Sequence, residues 1–485
     1  MGIVRNQSIK NSISFYIGMT IGAVNTVIIY PNVFKDFPEH FGLIQILVAW
    51  AIIVSTVTTL GIPKTFIRFF PEVKEKGQLY FLSLIIPLIG FILSVISYYL
   101  YNDEILEFLN ASELLRENFF YIILLVFFIG FYDVLTSISR SFLSASTPIF
   151  INEVFLKVYS MCILLLHWYD ILDFPTFLKI YLLGYFLKFL ILFLIQWRND
   201  RFSLNFSFNH LKLKEIFSFG VYVLVGGASV MIVTRIDMIM IQNLMDLEHV
   251  AFYTVAFFIG NAIKVPGKSV ASISIPLVAQ AWKKQDLKKI QVLYTKSSVN
   301  QLIIGGFLFM CIWINIDEVF SLLPSKFQGG KWVVFYIGLA QLFSMVNGIN
   351  GGIIVNSKYY RYDLYTNVIL VILTIITNIL LIPKYGIDGA AMATAISVFL
   401  FNLIRLVLIK VKMDMHPFSF RTFKTIIILL SMIFALDFLP NTDYAFIDII
   451  WKSFVIVLLF VPAVLYFDLS EDISDLIRDL RKKIS

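Results

Sequence analysis

Lys264 and Lys268 stand four residues apart inside a long apolar run, and both carry the same charge. Residues at that spacing share one face of a helix. In a dry setting two such ammonium groups repel each other. On the wall of a watery chamber they hold an anion. A charge at mid-bilayer costs roughly 2.5–3.5 kcal/mol on insertion scales, so it calls for a partner or for water. Five more cations lie within apolar segments: Lys157, Lys179, Lys188, Arg235 and Lys452. Acids in or beside those segments are Asp133, Glu153, Asp237 and Asp448. Glu153 and Lys157 are spaced to pair along a helix, as are Asp448 and Lys452. Lys179 can snorkel to the outer interface. The remaining set for an anion is Lys188, Arg235, Lys264 and Lys268, with Asp237 as the acid able to neutralise one of them. Arg68, just past an apolar segment, reads either as an entrance residue or as a topology determinant.

Other chemistries find no foothold. The five histidines have no metal-ligand spacing. The sequence shows no Ser-His-Asp arrangement, P-loop or dinucleotide fingerprint. The longest connections are about 20 residues, short for the catalytic loop of a multispan glycan polymerase or ligase. The chain is therefore expected not to be an enzyme and to need no cofactor. Without an ATP site, uphill transport must draw on an ion gradient, the membrane potential or the substrate's own gradient.

The 485 residues are 59% hydrophobic and 15% charged. Soluble domains carry about 25% charged residues, so this is a polytopic membrane protein of the all-α class. Cys162 and Cys311 both fall in apolar runs and imply no disulfide framework. The first apolar run lacks a small-residue cleavage site and many equal runs follow it, so it reads as a span and not a signal peptide. Fourteen spans are expected: 8–30, 42–62, 79–101, 118–138, 148–169, 175–197, 216–243, 249–279, 298–316, 332–356, 364–382, 387–409, 421–439 and 446–467. Lys and Arg gather in short cytoplasmic loops. The connections after even-numbered spans hold 21 basic residues, Arg405 counted among them, against five in the odd connections. That alternation puts both termini in the cytoplasm. It also accounts for the net charge of +7 without a nucleic-acid partner.

Short echoes link the first six spans to the next six. Ile62-Pro63 is repeated as Ile275-Pro276, Leu79-Tyr80 as Leu293-Tyr294, and Glu39-His40 as Glu248-His249. The expected organisation is a six-helix bundle over 1–215, a second over 216–415, two added helices over 416–467, and a cytoplasmic amphipathic helix over 468–485. Parallel repeats of this kind place a substrate near the repeat interface. In the last segment Leu469, Ile473, Leu476, Ile477, Leu480 and Ile484 share a face, with Ser470 as a cap. Residues 281–290, AWKKQDLKKI, are expected to form another surface helix.

Residues 378–397, NILLIPKYGIDGAAMATAIS, stop one apolar helix at Pro383, turn at Gly386 and restart on small residues. Gly389 and Ala393 lie one turn apart, a spacing that lets helix backbones approach. Together with LGIPKTFIRFFPE (60–72), RIDMIMIQNL (235–244) and AFYTVAFFIGNAI (251–263), this stretch resembles the polysaccharide-exporter branch of the multidrug/oligosaccharidyl-lipid/polysaccharide exporter superfamily, of the O-antigen flippase type. The resemblance covers most of the chain. It implies two six-helix bundles in a V around a central cavity. It implies a bacterial cytoplasmic membrane, and a polyprenyl-diphosphate-linked oligosaccharide moved to the outer leaflet. Arg68, Lys188, Arg235, Asp237, Lys264 and Lys268 would then line the path of the diphosphate. A cation-coupled multidrug exporter of the same fold is the alternative. Such proteins use an acid in the N-terminal bundle, and Asp133 is the nearest candidate, since the first span has none. Lipid II flippases tend to carry arginines in the first helix, and this first span has none.

Overall fold

The computed structural model describes residues 2–199, 205 and 212–472. Every regular element among them is helical. Twelve helices are long and apolar enough to cross a membrane. They are α1 (Lys10–Val33), α2 (Pro38–Thr58), α3 (Lys76–Phe108), α4 (Phe120–Ser141), α5 (Ser146–Trp168), α6 (Phe174–Arg198), α7 (Leu213–Leu244), α8 (Leu247–Lys283), α9 (Leu287–Ile314), α10 (Ser325–Val346), α11 (Arg361–Met413) and, after one shorter helix α12 (Phe420–Leu436), α13 (Ala445–Tyr466). This is the expected all-α polytopic class. The twelve become fourteen only if α11 counts as two passes and α12 as one. α11 holds 53 residues, about 80 Å of straight helix. The 17 residues of α12 span about 25 Å.

The break in α11 lies at Gly386, where φ is 60° and ψ is −136°. An L side chain is strained there, so the chain turns on its glycine and the two arms fold back on each other. At Gly389 the carbonyl oxygen of Leu381 occupies the place a Cβ would take. Thr377 and Ser397 hydroxyls meet across the arms at 3.0 Å, and Ala391 and Ala393 are fully buried. The small-residue spacing thus does what the sequence implied. The far end of the hairpin is fastened by Arg405. Its guanidinium pairs with Asp363, donates to Thr366 Oγ1 at 3.1 Å and Asn367 Oδ1 at 3.2 Å, and lies 4.1 Å from the Phe401 ring centre. Arg405 is buried within α11 and is not the loop cation the charge count made of it. Gly386→Ala is expected to destabilise the detergent-solubilised chain by roughly 1–3 kcal/mol, the cost of a residue forced into such a conformation. An unchanged thermal unfolding midpoint would contradict this.

The chain divides into two compact units, residues 1–254 and 255–485. In the first, α2 packs against α4 and α7, and α4 against α6. α1 and α5 each contain a wider turn, at Val24–Ile29 and Ile151–Phe155. Such turns recur at functional sites. The two helices pack together beside these turns: Asn25 Nδ2 donates to the Lys157 carbonyl at 2.9 Å and to Ser160 Oγ at 3.2 Å, both just past the wide turn of α5. In the second unit α10 packs along α11, and α9 against α12 and the later part of α8.

The sequence echoes divide on inspection. Glu39 and Glu248 both sit in the first turn of their helices, and Tyr80 and Tyr294 are both buried near the start of long helices. The proline echo fails: Pro63 opens the short helix Ile62–Phe69, whereas Pro276 lies inside α8. Residues 281–290 are not a surface helix either. They hold the end of α8, a turn with Gln285 at φ 57°, and the start of α9, where Asp286 accepts from the Lys289 N–H at 3.0 Å.

The expected C-terminal helix lies mostly outside the described residues, but its start is fixed. Ser470 Oγ donates to Asn300 Oδ1 at 2.6 Å, and the helix it was expected to cap lies mostly beyond the described residues. Glu471 pairs with Arg421 at 2.7 Å and Lys296 at 3.2 Å, and Asp472 pairs with Lys296 at 3.1 Å.

Candidate substrate-binding site

α8 is continuous in length but not in geometry. Residues Ala262–Lys264 form a tighter 3-10 turn, and Pro266 follows. Proline has no N–H to give to the preceding turn, and its ring crowds the carbonyl four residues back. The helix therefore breaks at Lys264 itself. Lys264 and Lys268 are both exposed, and neither forms an ion pair among the described residues. They are close enough to repel each other. Asp237, the acid that might have neutralised one of them, is buried and accepts the Tyr253 hydroxyl at 2.8 Å.

In the first unit the structure separates two cations that the sequence treated alike. Lys188, 4% exposed, is held by three helices. Its ammonium lies 4.6 Å from the Tyr132 ring centre and 4.8 Å from that of Tyr185, and donates to Asn152 Oδ1 at 3.3 Å. Asp133 and Glu153 are the acids that face it. Glu153 is tied to Lys157 at 2.9 Å, the pairing its spacing implied. Asp133 is exposed and forms no ion pair among the described residues. Arg235, half-buried on α7, faces Tyr185 and Tyr181 instead of an acid, so Tyr185 links it to Lys188. Arg68 is exposed at the end of the short helix, its guanidinium 4.2 Å from the Phe219 ring centre.

Lys452 departs most from expectation. It pairs with Glu318, from the short helix Ile316–Ser321, and donates to Asn441 Oδ1 at 2.7 Å. Its helix neighbour Asp448 accepts the Thr442 N–H at 2.9 and 3.0 Å and the Trp451 indole N–H at 2.9 Å. The i,i+4 pair read from the sequence is replaced by a buried contact across 134 positions. Asn152, Tyr132, Tyr181 and Tyr185 also went unnoticed. Uncharged residues in an apolar run give no signal until the fold gathers them.

A sequence profile of the polysaccharide biosynthesis protein family matches residues 7–282. The chain belongs to this family. Among its relatives, the capsular polysaccharide biosynthesis protein CapF of Staphylococcus aureus is 26% identical over 250 residues, covering 48% of this chain and 62% of that one. The probable low-salt glycan biosynthesis flippase Agl15 of Haloferax volcanii is 24% identical over 185 residues, covering 38% and 39%. The match thus spans less than two thirds of either relative. The lipid II flippase MurJ in an inward closed conformation superimposes with a TM-score of 0.76 at 18% identity, over 95% of this chain and 99% of that one. At that identity the likeness is one of fold.

Proposed function

We propose that this polysaccharide biosynthesis family member is a flippase. It carries a polyprenyl-diphosphate-linked oligosaccharide, an O-antigen, capsule or exopolysaccharide unit, from the cytoplasmic to the outer leaflet of a bacterial cytoplasmic membrane. Two six-helix bundles, 1–215 and 216–415, alternate access to the cargo. Residues 416–467 are accessory helices, and both termini are cytoplasmic.

The observation that carries the reading is the state of Lys264 and Lys268: two exposed, like-charged side chains with no ion-pair partner among the described residues, at a break in a spanning helix. A diphosphate supplies the missing charge. Charge-assisted hydrogen bonds to phosphate are about twice as strong as neutral ones. Arg235, facing tyrosines, suits the same role. Lys188, already caged by two rings and Asn152, suits a positioning role better. Asp133, open and unpaired with any described cation, fits a proton or sodium ion as the coupling species, and it is the feature that favours a cation-coupled drug exporter as the second reading.

The test is a leaflet assay in cells lacking the chain but making the glycan. The lipid-linked unit should accumulate on the cytoplasmic leaflet and cross when the chain is restored. Normal outer-leaflet glycan without the chain rejects the flippase. Loss of drug tolerance alone supports the exporter.

A further inference from the structure

The short helix Ile62–Phe69 has two unlike faces. Ile62, Thr65, Phe66 and Phe69 are buried in the first unit's core, and Lys64, Ile67 and Arg68 are exposed. The buried face fixes the helix, so its two cations have set positions one turn apart. Arg68 reaches one way, to Phe219 of α7. Lys64 reaches the other, to Gly227 of the same helix. Eight residues separate those contacts, about 12 Å along α7. Gly227 is fourteen residues from Leu213, so the Lys64 ammonium stands about 21 Å from the N-terminal end of α7. Gly227 thus falls well inside the span expected over 216–243, where an unpaired ammonium needs water or an anion.

Gly227 faces open space. A Cβ built on it would have the Lys64 Nζ 3.9 Å away and nothing else within 4 Å, the helix's own backbone aside. Neither Lys64 nor Arg68 forms an ion pair among the described residues. Of the two acids that follow Arg68, Glu75 accepts from Gln78 and from Asn205, each at 2.9 Å, and Glu72 is exposed and forms no ion pair among the described residues. The arrangement is a cation over an open glycine floor, with a second cation toward the start of α7.

We propose that Lys64, with Arg68 and the space over Gly227, forms a binding station for a phosphate or diphosphate group on the inner part of the transport path. This rests on the flippase reading for its lipid source, but its chemistry is that of any phosphate anion. Arg68 meets the headgroup first and Lys64 takes it deeper. Gly227 is kept bare because any longer side chain would fill the seat.

The test uses the full chain in phosphatidylcholine nanodiscs. Lysines are acetylated by a limiting reagent and read by peptide mass spectrometry. A polyprenyl diphosphate without sugar should slow acetylation of Lys64 at least fivefold and leave the exposed Lys74 and Lys76 unchanged. Inorganic pyrophosphate at millimolar concentration should also protect Lys64, and the uncharged polyprenol should not. Equal labelling with and without both phosphates overturns the proposal, as does equal protection by the polyprenol. Protection by pyrophosphate but not by the lipid supports the anion station and counts against a lipid cargo. G227D places a carboxylate beside Lys64. It should slow Lys64 acetylation without ligand and weaken polyprenyl diphosphate binding at least tenfold. K64Q should weaken binding similarly, and K64R should restore it to within about threefold. If K64Q and G227D move glycan at the wild-type rate while the Lys264 and Lys268 variants do not, the station falls and the flippase stands. If the wild-type chain moves no lipid-linked glycan but pyrophosphate still shields Lys64, the flippase falls and the station stands.

Discussion

A chain carrying Lys264→Ala together with Lys268→Ala is expected to reach the membrane at normal level and to export no glycan. Both side chains are exposed and neither has an ion-pair partner among the described residues, so their removal leaves no buried acid stranded. On the proposed function, what is lost is two charge-assisted contacts to a diphosphate. Each hydrogen bond to a charged group contributes about 1.5–3 kcal/mol. Together they account for roughly a hundredfold or more in headgroup affinity, since every 1.4 kcal/mol is tenfold. Immunoblotting measures the protein level and the leaflet assay measures transport. Full transport by the double variant rejects these lysines as the diphosphate site. Loss of the protein itself assigns them to folding instead.

Glu318→Ala is expected to cost about 3–5 kcal/mol in stability, because it leaves the Lys452 ammonium buried without its ion-pair partner. Replacing both partners with apolar residues, Glu318→Leu with Lys452→Met, should recover most of that loss, since taking two charges out of water already offsets much of their attraction. The thermal unfolding midpoint of the purified chain measures both. A double variant as unstable as the single would show that the pair itself is not what the first substitution removes. Transport is expected to survive in the double variant, because this pair belongs to packing and not to the cation set proposed for the cargo.

What the sequence made legible follows a physical rule. Signals carried along one helix came through: the Gly386 turn, the Gly389 approach, the Glu153–Lys157 pair and the like-charged pair at Lys264 and Lys268. The family resemblance was legible too: the profile match over 7–282 takes in the motifs at 60–72, 235–244 and 251–263, while 378–397 lies beyond it. Signals that depend on a second helix did not come through. Lys452 looked satisfied by its own helix, yet its partner comes from Ile316–Ser321. Lys188 looked free, yet two tyrosine rings and Asn152 close around it. Arg405 looked like a loop charge because it follows an apolar run, and its acid lies 42 positions earlier. Lys64 was lost in the same way. A lysine just past a span is ordinarily a topology signal, and only the fold shows its ammonium beside Gly227.

The hairpin of α11 is fastened at both ends, by Arg405 on Asp363 at one and by Leu381 pressed onto Gly389 at the other. So secured, its two arms form a single braced strut. Whatever bending a working cycle demands must then be taken up by softer joints. Those joints are the tight turn at Ala262–Lys264 and the wide turns at Val24–Ile29 and Ile151–Phe155, where the regular backbone ladder is already interrupted.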